Sequence, residues 1–244
     1  MAVQRRSPFP EVEVGGFTRL DGTVEFYSRI HSILVPDMVV LDVGAGRAAW
    51  LEDSSEYRRR LRLLRGTVRR VIGVDVDAAV LGNQAVDEAL VMPDAATLPL
   101  ADDSVDLAIA DAVFEHVADP EAFVRELGRV VKPGGWVCAR TPNRWGYPAV
   151  GARLLPNPLH APILRYLQPR RRSEDVFPTH FLLNSRNQLQ TWFRPDEWHR
   201  VVYAASGEPT YAGSSPVLLT VLTAAHGLLP PGLQTSLFIF LRRM

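Results

Sequence analysis

Asp42-Val43-Gly44-Ala45-Gly46 is the stretch of this chain whose residue types and spacing first suggest chemistry. Gly44 and Gly46 lack the side chains that would keep a ligand away from the backbone, and they allow a tight turn. A helix beginning after the turn, near Arg47, would add unpaired N–H groups at its N-terminus. Asp42 contributes a carboxylate two residues before the first glycine. Further along, Asp75, Asp94 and Asp111 each follow a short apolar run, so four acids sit at comparable points of four successive segments.

Two cofactor classes compete for such a turn. A dinucleotide site calls for Gly-x-Gly-x-x-Gly or Ala with an acid about 20 residues further on. Gly44-Ala45-Gly46-Arg47-Ala48-Ala49 fits the Ala form loosely, and Asp75 lies 29 residues beyond Gly46. A carboxylate as close as Asp42 would also repel a pyrophosphate. It suits a cation better.

The apolar pattern shows what must position these residues. Val39-Val40-Leu41 reads as a strand covered on both faces. It is preceded by an amphipathic helix through Val24, Phe26, Tyr27, Ile30, Ile33 and Leu34. After the turn the pattern predicts a helix over 47–66, a strand over Val71–Val74, a helix over 78–89 and a strand over Ala89–Met92. Val105–Ala110 is a fourth strand. Asp119 is an N-cap with Pro120 at the first helical position, and Phe123, Leu127, Val130 and Val131 form the apolar stripe of that helix. Pro133-Gly134-Gly135 stops it before a fifth strand, Trp136–Ala139. Beyond a Pro-, Arg- and aromatic-rich stretch from about Thr141 to Thr179, the chain predicts a helix capped by Asn184, a strand over Arg200–Tyr203, a helix over 216–229 and a final strand, Ser236–Leu241.

Strands alternating with helices at this spacing predict an α/β fold: a doubly wound, mostly parallel seven-stranded sheet with helices on both faces and an insertion after strand five. Ligands of such sheets sit beyond the carboxyl ends of the strands, where Asp42 to Gly46, Asp75, Asp94 and Asp111 fall.

Taken together and in order, these segments resemble class I S-adenosylmethionine-dependent methyltransferases of the type 11-like group, over about residues 38–142. Leu41-Asp42-Val43-Gly44-Ala45-Gly46 matches the family's first motif, with Ala48 where the family often has a third glycine. Val71-Ile72-Gly73-Val74-Asp75 resembles the second motif, whose acid accepts from ribose hydroxyls. Pro93-Asp94-Ala95 and Leu98 to Asp106 resemble the third region, where the Asp94 equivalent meets adenine. Phe114-Glu115-His116-Val117 and Lys132-Pro133-Gly134-Gly135 are also typical. The resemblance implies a Rossmann-like domain that binds S-adenosyl-L-methionine through Asp42, Gly44, Ala45, Gly46, Asp75, Val76, Asp94, Ala95 and Asp111. It implies methyl transfer to a small molecule by in-line displacement, without a metal.

On the acceptor side, a hydroxyl or amine would be helped by a general base, so His116 and His180 are the candidates. His116 also suits a role in ordering the loop under the cofactor. Trp145, Tyr147 and Phe177 could wall an acceptor pocket. The preferred acceptor is an oxygen on a glycan, lipid-linked intermediate or secondary metabolite. The alternatives are a non-catalytic S-adenosylmethionine-binding protein and an NAD-type oxidoreductase. The expected organisation is one domain over 1–244: a lid and helix over 11–36, a cofactor core over 37–142, an acceptor-side insertion over 143–183 and completion of the sheet over 184–244. Phe17, Tyr27 and Arg29 are candidates to close over the cofactor.

Composition narrows the classes further. Of the 244 residues, 47% are hydrophobic, enough to bury a sizeable core. The 27 basic and 27 acidic residues cancel, so no overall field draws nucleic acid or an anionic membrane, and no basic stripe carries interleaved aromatics. Arg58, Arg59, Arg60, Arg62 and Arg65 read as a solvated helix face. Cys138 is the single cysteine, which excludes an intrachain disulfide and a multi-cysteine metal site and suits the reducing cytoplasm. Met1 to Pro10 lacks the apolar segment of a secretory signal, and no apolar run reaches the ~20 residues that span a bilayer. The oligomeric state is left open.

Overall fold

The computed structural model describes residues 9–94, 97–147, 149–150, 178–209 and 216–244. Its centre is a seven-stranded sheet in the order β3-β2-β1-β4-β5-β7-β6. The strands are β1 (Val39–Val43), β2 (Arg70–Asp75), β3 (Glu88–Val91), β4 (Val105–Asp111), β5 (Val131–Pro142), β6 (Trp198–Ala205) and β7 (Ser236–Arg243). The first five pair in parallel, and β7 runs antiparallel to both β5 and β6. This is the expected mixed, mostly parallel α/β sheet.

Alternation along β1 sends consecutive side chains to opposite faces. Leu41 and Val43 join one apolar cluster with Phe123 and Leu127 of α3 (Pro120–Val130) and Leu189 of α4 (Arg186–Trp192). Val40 joins the other, with Phe26, Tyr27 and Ile30 of α1 (Gly22–Ile33). Helices therefore cover both faces, as the near-continuous apolar runs require. Asp21 caps α1 by accepting from the Thr23 and Val24 N–H groups, and Asp119 caps α3 through Ala122 N–H.

Two of the predicted helices shrink. The 47–66 segment becomes a 3-10 turn over Ala49–Glu52 and a short helix α2 (Glu56–Arg62). Asp53 Oδ1 accepts from Ser55 N–H at 2.9 Å, and the Ser55 side chain caps α2. These short polar side chains bind local backbone in place of a continuing helix. The 78–89 segment holds one 3-10 turn, Ala78–Gly82. Asn83 then leaves the helical path to reach the glycine turn. The cap of α4 also moves by one residue: Ser185 accepts from Gln188 N–H, and Asn184 is buried elsewhere.

β5 is longer than the four-residue prediction and starts where α3 stops. The register slips between Val105 and Leu107 on β4. At Gly135 a Cβ would lie 2.8 Å from the Asp106 carbonyl oxygen, so only glycine fits at this irregularity. The helix α5 (Pro216–Leu228) precedes β7. No helix among the described residues is long and apolar enough to cross a membrane.

Candidate functional site

β1 and β4 are neighbours in the sheet, and β1 continues to β2 on one side while β4 continues to β5 on the other. The chain order reverses between them, which is where an open α/β sheet forms its ligand crevice. The turn after β1 lies at this point. Gly44 has φ +69° and Gly46 φ +48°. A Cβ on Gly44 would meet Val113 Cγ2 at 2.7 Å, so the residue is constrained by both conformation and space. The Gly44 and Ala45 N–H groups donate to the Val74 carbonyl at 2.8 and 3.1 Å, fastening the turn to the end of β2. Ala48 is left-handed at φ +59° and buried. A glycine would take this conformation without the steric cost that a Cβ brings.

The turn does not lead into a regular helix, contrary to expectation; the 3-10 turn over Ala49–Glu52 follows. Its geometry is held instead by side chains from the next motif. Asp75 Oδ2 accepts from Gly46 N–H at 2.9 Å and Oδ1 from Asp77 N–H at 2.9 Å. Asn83 Nδ2 donates to the Ala45 and Gly46 carbonyls at 3.1 and 3.0 Å. Gly73 permits this approach, since a Cβ there would press on Val86 and Ala45.

Asp42 lies beneath the turn, half-buried, in a cleft shared with Tyr27, Trp50 and Arg62. Burial pushes its carboxyl up to about 7; Arg62 opposes the rise, and the charges of Asp111 and Asp75 add to it. A carboxylate held in this way gains most from a cation. The Arg62 guanidinium is 5.4 Å from the Tyr27 ring centroid and 5.1 Å from that of Trp50. Its Nη2 is 3.5 Å from Asp111 Oδ2, and its buried Nε has no hydrogen-bond partner among the described residues.

Arg62 thus turns inward, not to the solvent as expected of the arginine run. Arg58 does the same: it bridges Asp21 and Asp53 at 2.8 and 2.5 Å. Arg60, pairing with Glu56 across 3.7 Å, stays exposed.

Asp111 is nearly enclosed, with its side chain 7% exposed. Arg140 grips it with Nε at 2.8 Å and Nη2 at 2.8 Å, a bidentate pair. Burial raises the Asp111 carboxyl, but Arg140 and Arg62 outweigh it and hold it below its ordinary value. The Tyr27 hydroxyl is 3.4 Å from Asp111 Oδ2. Burial first, and the charge of Asp111 second, raise the Tyr27 phenol well above its usual range. Val76 is exposed, and Asp94 accepts from Thr97 Oγ1 at 3.2 Å. Ala95 lies outside the described residues.

The two candidate bases come together after β4. His116 Nδ1 is 2.8 Å from the Pro178 carbonyl, so that nitrogen carries the proton. The Glu115 carbonyl accepts from His180 N–H at 2.7 Å, and the His180 side chain is exposed. Beneath them, buried Glu115 accepts from Thr141 Oγ1 at 2.8 Å, and Asn184 Nδ2 donates to Thr141 Oγ1 at 2.6 Å. Burial raises the Glu115 carboxyl.

Of the candidate acceptor wall, Trp145 is 55% exposed. The Tyr147 hydroxyl lies 2.8 Å from His226 Nε2. Phe177 is outside the described residues. Among the described residues no cluster of His, Cys, Asp and Glu could hold a metal ion. Four site residues escaped the sequence reading: Arg62, Asn83, Arg140 and His226. Arg140 and His226 do carry a signal, a charge or imidazole inside an otherwise apolar segment, which needs a partner when buried. Asn83 carries none.

Near the N-terminal end, Phe17 stacks on Tyr57 with centroids 4.9 Å apart, and Ser55 Oγ donates to the Gly15 carbonyl at 3.1 Å. Arg29 pairs with Glu25 at the surface, 3.1 Å away.

Comparison with known proteins finds likeness to methyltransferases. Residues 41–139 match a family model described as a methyltransferase domain. A probable S-adenosylmethionine-dependent methyltransferase of Mycolicibacterium smegmatis is 40% identical over 85 residues, covering 34% of this chain and 33% of its own. Malonyl-(acyl-carrier protein) O-methyltransferase 1 of Coxiella burnetii is 32% identical over 107 residues, covering 44% and 34%. The chain thus spans about a third of the length of these curated relatives. A similar solved structure is geranyl diphosphate C-methyltransferase from Streptomyces coelicolor A3(2), in complex with Mg2+, geranyl-S-thiolodiphosphate and S-adenosyl-L-homocysteine. It has a TM-score of 0.56 at 18% identity, covering 91% of this chain and 75% of that one. At that identity the likeness concerns the fold alone.

Proposed function

We propose that this chain, whose residues 41–139 match a methyltransferase domain, is of the class I S-adenosylmethionine-dependent type and transfers a methyl group from S-adenosyl-L-methionine to a small-molecule acceptor. The observation that carries the reading is the placement of Asp42, its carboxyl lifted by burial to about 7, beneath a positive-φ glycine turn that Asp75 and Asn83 lock in place. A half-buried carboxylate beside exposed backbone suits a cationic amino-acid ligand and opposes a pyrophosphate.

S-adenosyl-L-methionine, when bound, supplies an electrophilic methyl group on a sulfonium. The chain's residues supply binding and orientation. Asp42 and the Gly44–Gly46 backbone hold the methionine end. Asp75, with Val76 beside it, holds the ribose, and Asp94 and Ala95 meet the adenine. Asp111, neutralised by Arg140, sets the floor between cofactor and acceptor. His116 orders the loop over 178–180, which carries His180 as a candidate base. Trp145 and Tyr147 face the acceptor, an oxygen on a glycan, lipid-linked intermediate or secondary metabolite. Phe17 and Tyr27, with α1, form a lid over the cofactor, while Arg29 is held by Glu25 at the surface.

Calorimetry with S-adenosyl-L-methionine, S-adenosyl-L-homocysteine and NAD tests the reading. Binding of the two sulfur compounds and not NAD is expected. Binding of NAD alone would overturn it in favour of an oxidoreductase. A screen of hydroxyl-bearing acceptors, read by release of S-adenosyl-L-homocysteine, then tests the acceptor class.

A further inference from the structure

His226 is the one imidazole on α5, a helix otherwise made of apolar and small residues with two threonines, and it is only 5% exposed. A buried imidazole requires partners for both ring nitrogens. It has them. Nδ1 is 3.0 Å from the Gly207 carbonyl and Nε2 is 2.8 Å from the Tyr147 hydroxyl. A carbonyl only accepts, so Nδ1 carries the proton. In the neutral ring Nε2 is then the lone-pair nitrogen, and the Tyr147 O–H donates to it. The three groups come from separate parts of the chain: the start of the helical turn after β5, the segment just past β6 and α5.

All three lie at the carboxyl edge of the sheet. Pro142, the end of β5, pairs with Ser236, and Ala205, the end of β6, pairs with that same residue. The turn leading into Tyr147 is fixed there, because Asn143 Nδ2 donates to the Gly232 and Gln234 carbonyls at 3.0 and 2.8 Å. Gly207 is next to the cofactor side: a Cβ on Gly22 would lie 4.0 Å from Gly207 Cα and 3.6 Å from Nη1 of Arg140, the arginine that grips Asp111. Tyr147 is half-buried, two residues beyond the exposed Trp145.

We infer that Tyr147 is the group that receives the proton of the acceptor's hydroxyl, with His226 as the positioning residue that draws the phenol's own proton. The inference rests on the methyltransferase reading above and goes beyond it by naming a proton route that includes neither His116 nor His180. The acceptor O–H bond breaks as its oxygen bonds the methyl carbon, and the C–S electron pair leaves with the sulfur. The acceptor's proton goes to Tyr147 Oη, and the Tyr147 proton passes to His226 Nε2. The resulting imidazolium keeps its Nδ1–H on the Gly207 carbonyl, which is a suitable acceptor for it. The arrangement of nucleophile-like oxygen, base and fixed orienter follows the same logic as other activated hydroxyls.

The test uses the full chain loaded with S-adenosyl-L-homocysteine and needs no knowledge of the acceptor. A benzenesulfonyl fluoride labels tyrosines in proportion to their phenolate character, and peptide mass spectrometry locates the label. Tyr147 should be labelled at least tenfold faster in the unaltered protein than in His226→Gln. Equal rates, or no label on Tyr147, would overturn the inference. Nitrogen-15 NMR of the histidines gives a second readout that does not depend on that variant folding: His226 should carry its proton on Nδ1, and a proton on Nε2 would overturn the route. Calorimetry separates the two claims. His226→Gln and Tyr147→Phe should bind S-adenosyl-L-homocysteine within twofold of the unaltered protein. If the unaltered protein does not bind it at all, the methyltransferase reading fails and the inference fails with it, whereas intact binding with equal labelling sinks the inference alone.

Discussion

The two ends of the sheet's carboxyl edge, assigned above by proposal to cofactor and to acceptor and called here the cofactor side and the acceptor side, are built by different means. On the cofactor side, backbone conformation carries the design: Gly44, Gly46 and Ala48 have positive φ, and Asp75 closes over the turn 29 residues away. On the acceptor side, side chains meet across long stretches of chain. Asn143 reaches 91 residues to Gln234, and Tyr147 reaches 79 to His226. The first is a cradle of turns closed by Asp75, and the second is a part-buried polar lattice. Arg140 and Asp111 form the seam between them, on adjacent strands.

The largest effect is expected at that seam. Arg140→Leu leaves the Asp111 carboxylate buried without its bidentate partner and should cost about 3–5 kcal/mol of stability, read as a lower chemical-denaturation midpoint. A loss under about 1 kcal/mol would mean that the two sides do not share this joint.

Next is the cradle itself. Gly44→Val places a β-branched residue at φ +69° with its Cβ against Val113, for a combined cost of about 2–4 kcal/mol. Binding of S-adenosyl-L-methionine should be lost even under conditions where circular dichroism still reports a folded sheet. Retained affinity would break the claim that backbone conformation governs this side.

Asp42→Asn should separate stability from binding. The folded carboxyl is lifted from 3.8 to about 7, so the folded state holds a proton that the unfolded chain releases across that interval. Stability is therefore full below about pH 4 and falls as pH rises towards 7. The asparagine variant lacks this loss, so it should melt higher than the unaltered protein at pH 8, with the gap closing towards pH 4. Its affinity for S-adenosyl-L-methionine should fall by about 1–3 kcal/mol at pH 8. A melting temperature that drops at pH 8 would contradict the account of the buried charge.

The smallest effect should come from the lattice. Asn184→Ala removes its hydrogen bonds to Thr141 and the Pro142 carbonyl and should cost about 1–2 kcal/mol. Cofactor affinity should be unchanged. Coupled loss of both would erase the distinction between the two sides.

The same contrast explains what could be read from the sequence. Asp42, Gly44, Gly46 and Asp75 announce themselves because a strand, a turn and the next strand end lie close together in the chain, and the seven strands follow from runs of apolar residues. The predicted helices over 47–66 and 78–89 failed because Asp53, Ser55 and Asn83 bind backbone with their side chains, a competition that apolar periodicity does not register. The inward turn of Arg62 and the meeting of Tyr147 with His226 depend on which strands are neighbours, and β7 lying between β5 and β6 is not a local property. His226 stands out as the one imidazole of an apolar helix, but nothing local names its partner.

The position of β7 also has a consequence for how the molecule is made. Among the described residues β6 has β7 as its single neighbour in the sheet, and β7 follows it in the chain. On a ribosome adding ~5–20 residues per second, β6 therefore emerges several seconds before anything exists for it to pair with. The five parallel strands can assemble as they appear, but the last two must dock together once Leu237 to Leu241 have left the exit tunnel. Until then the outer edge of β5 stands open, and the nascent chain is most exposed to strand-to-strand aggregation in that short window.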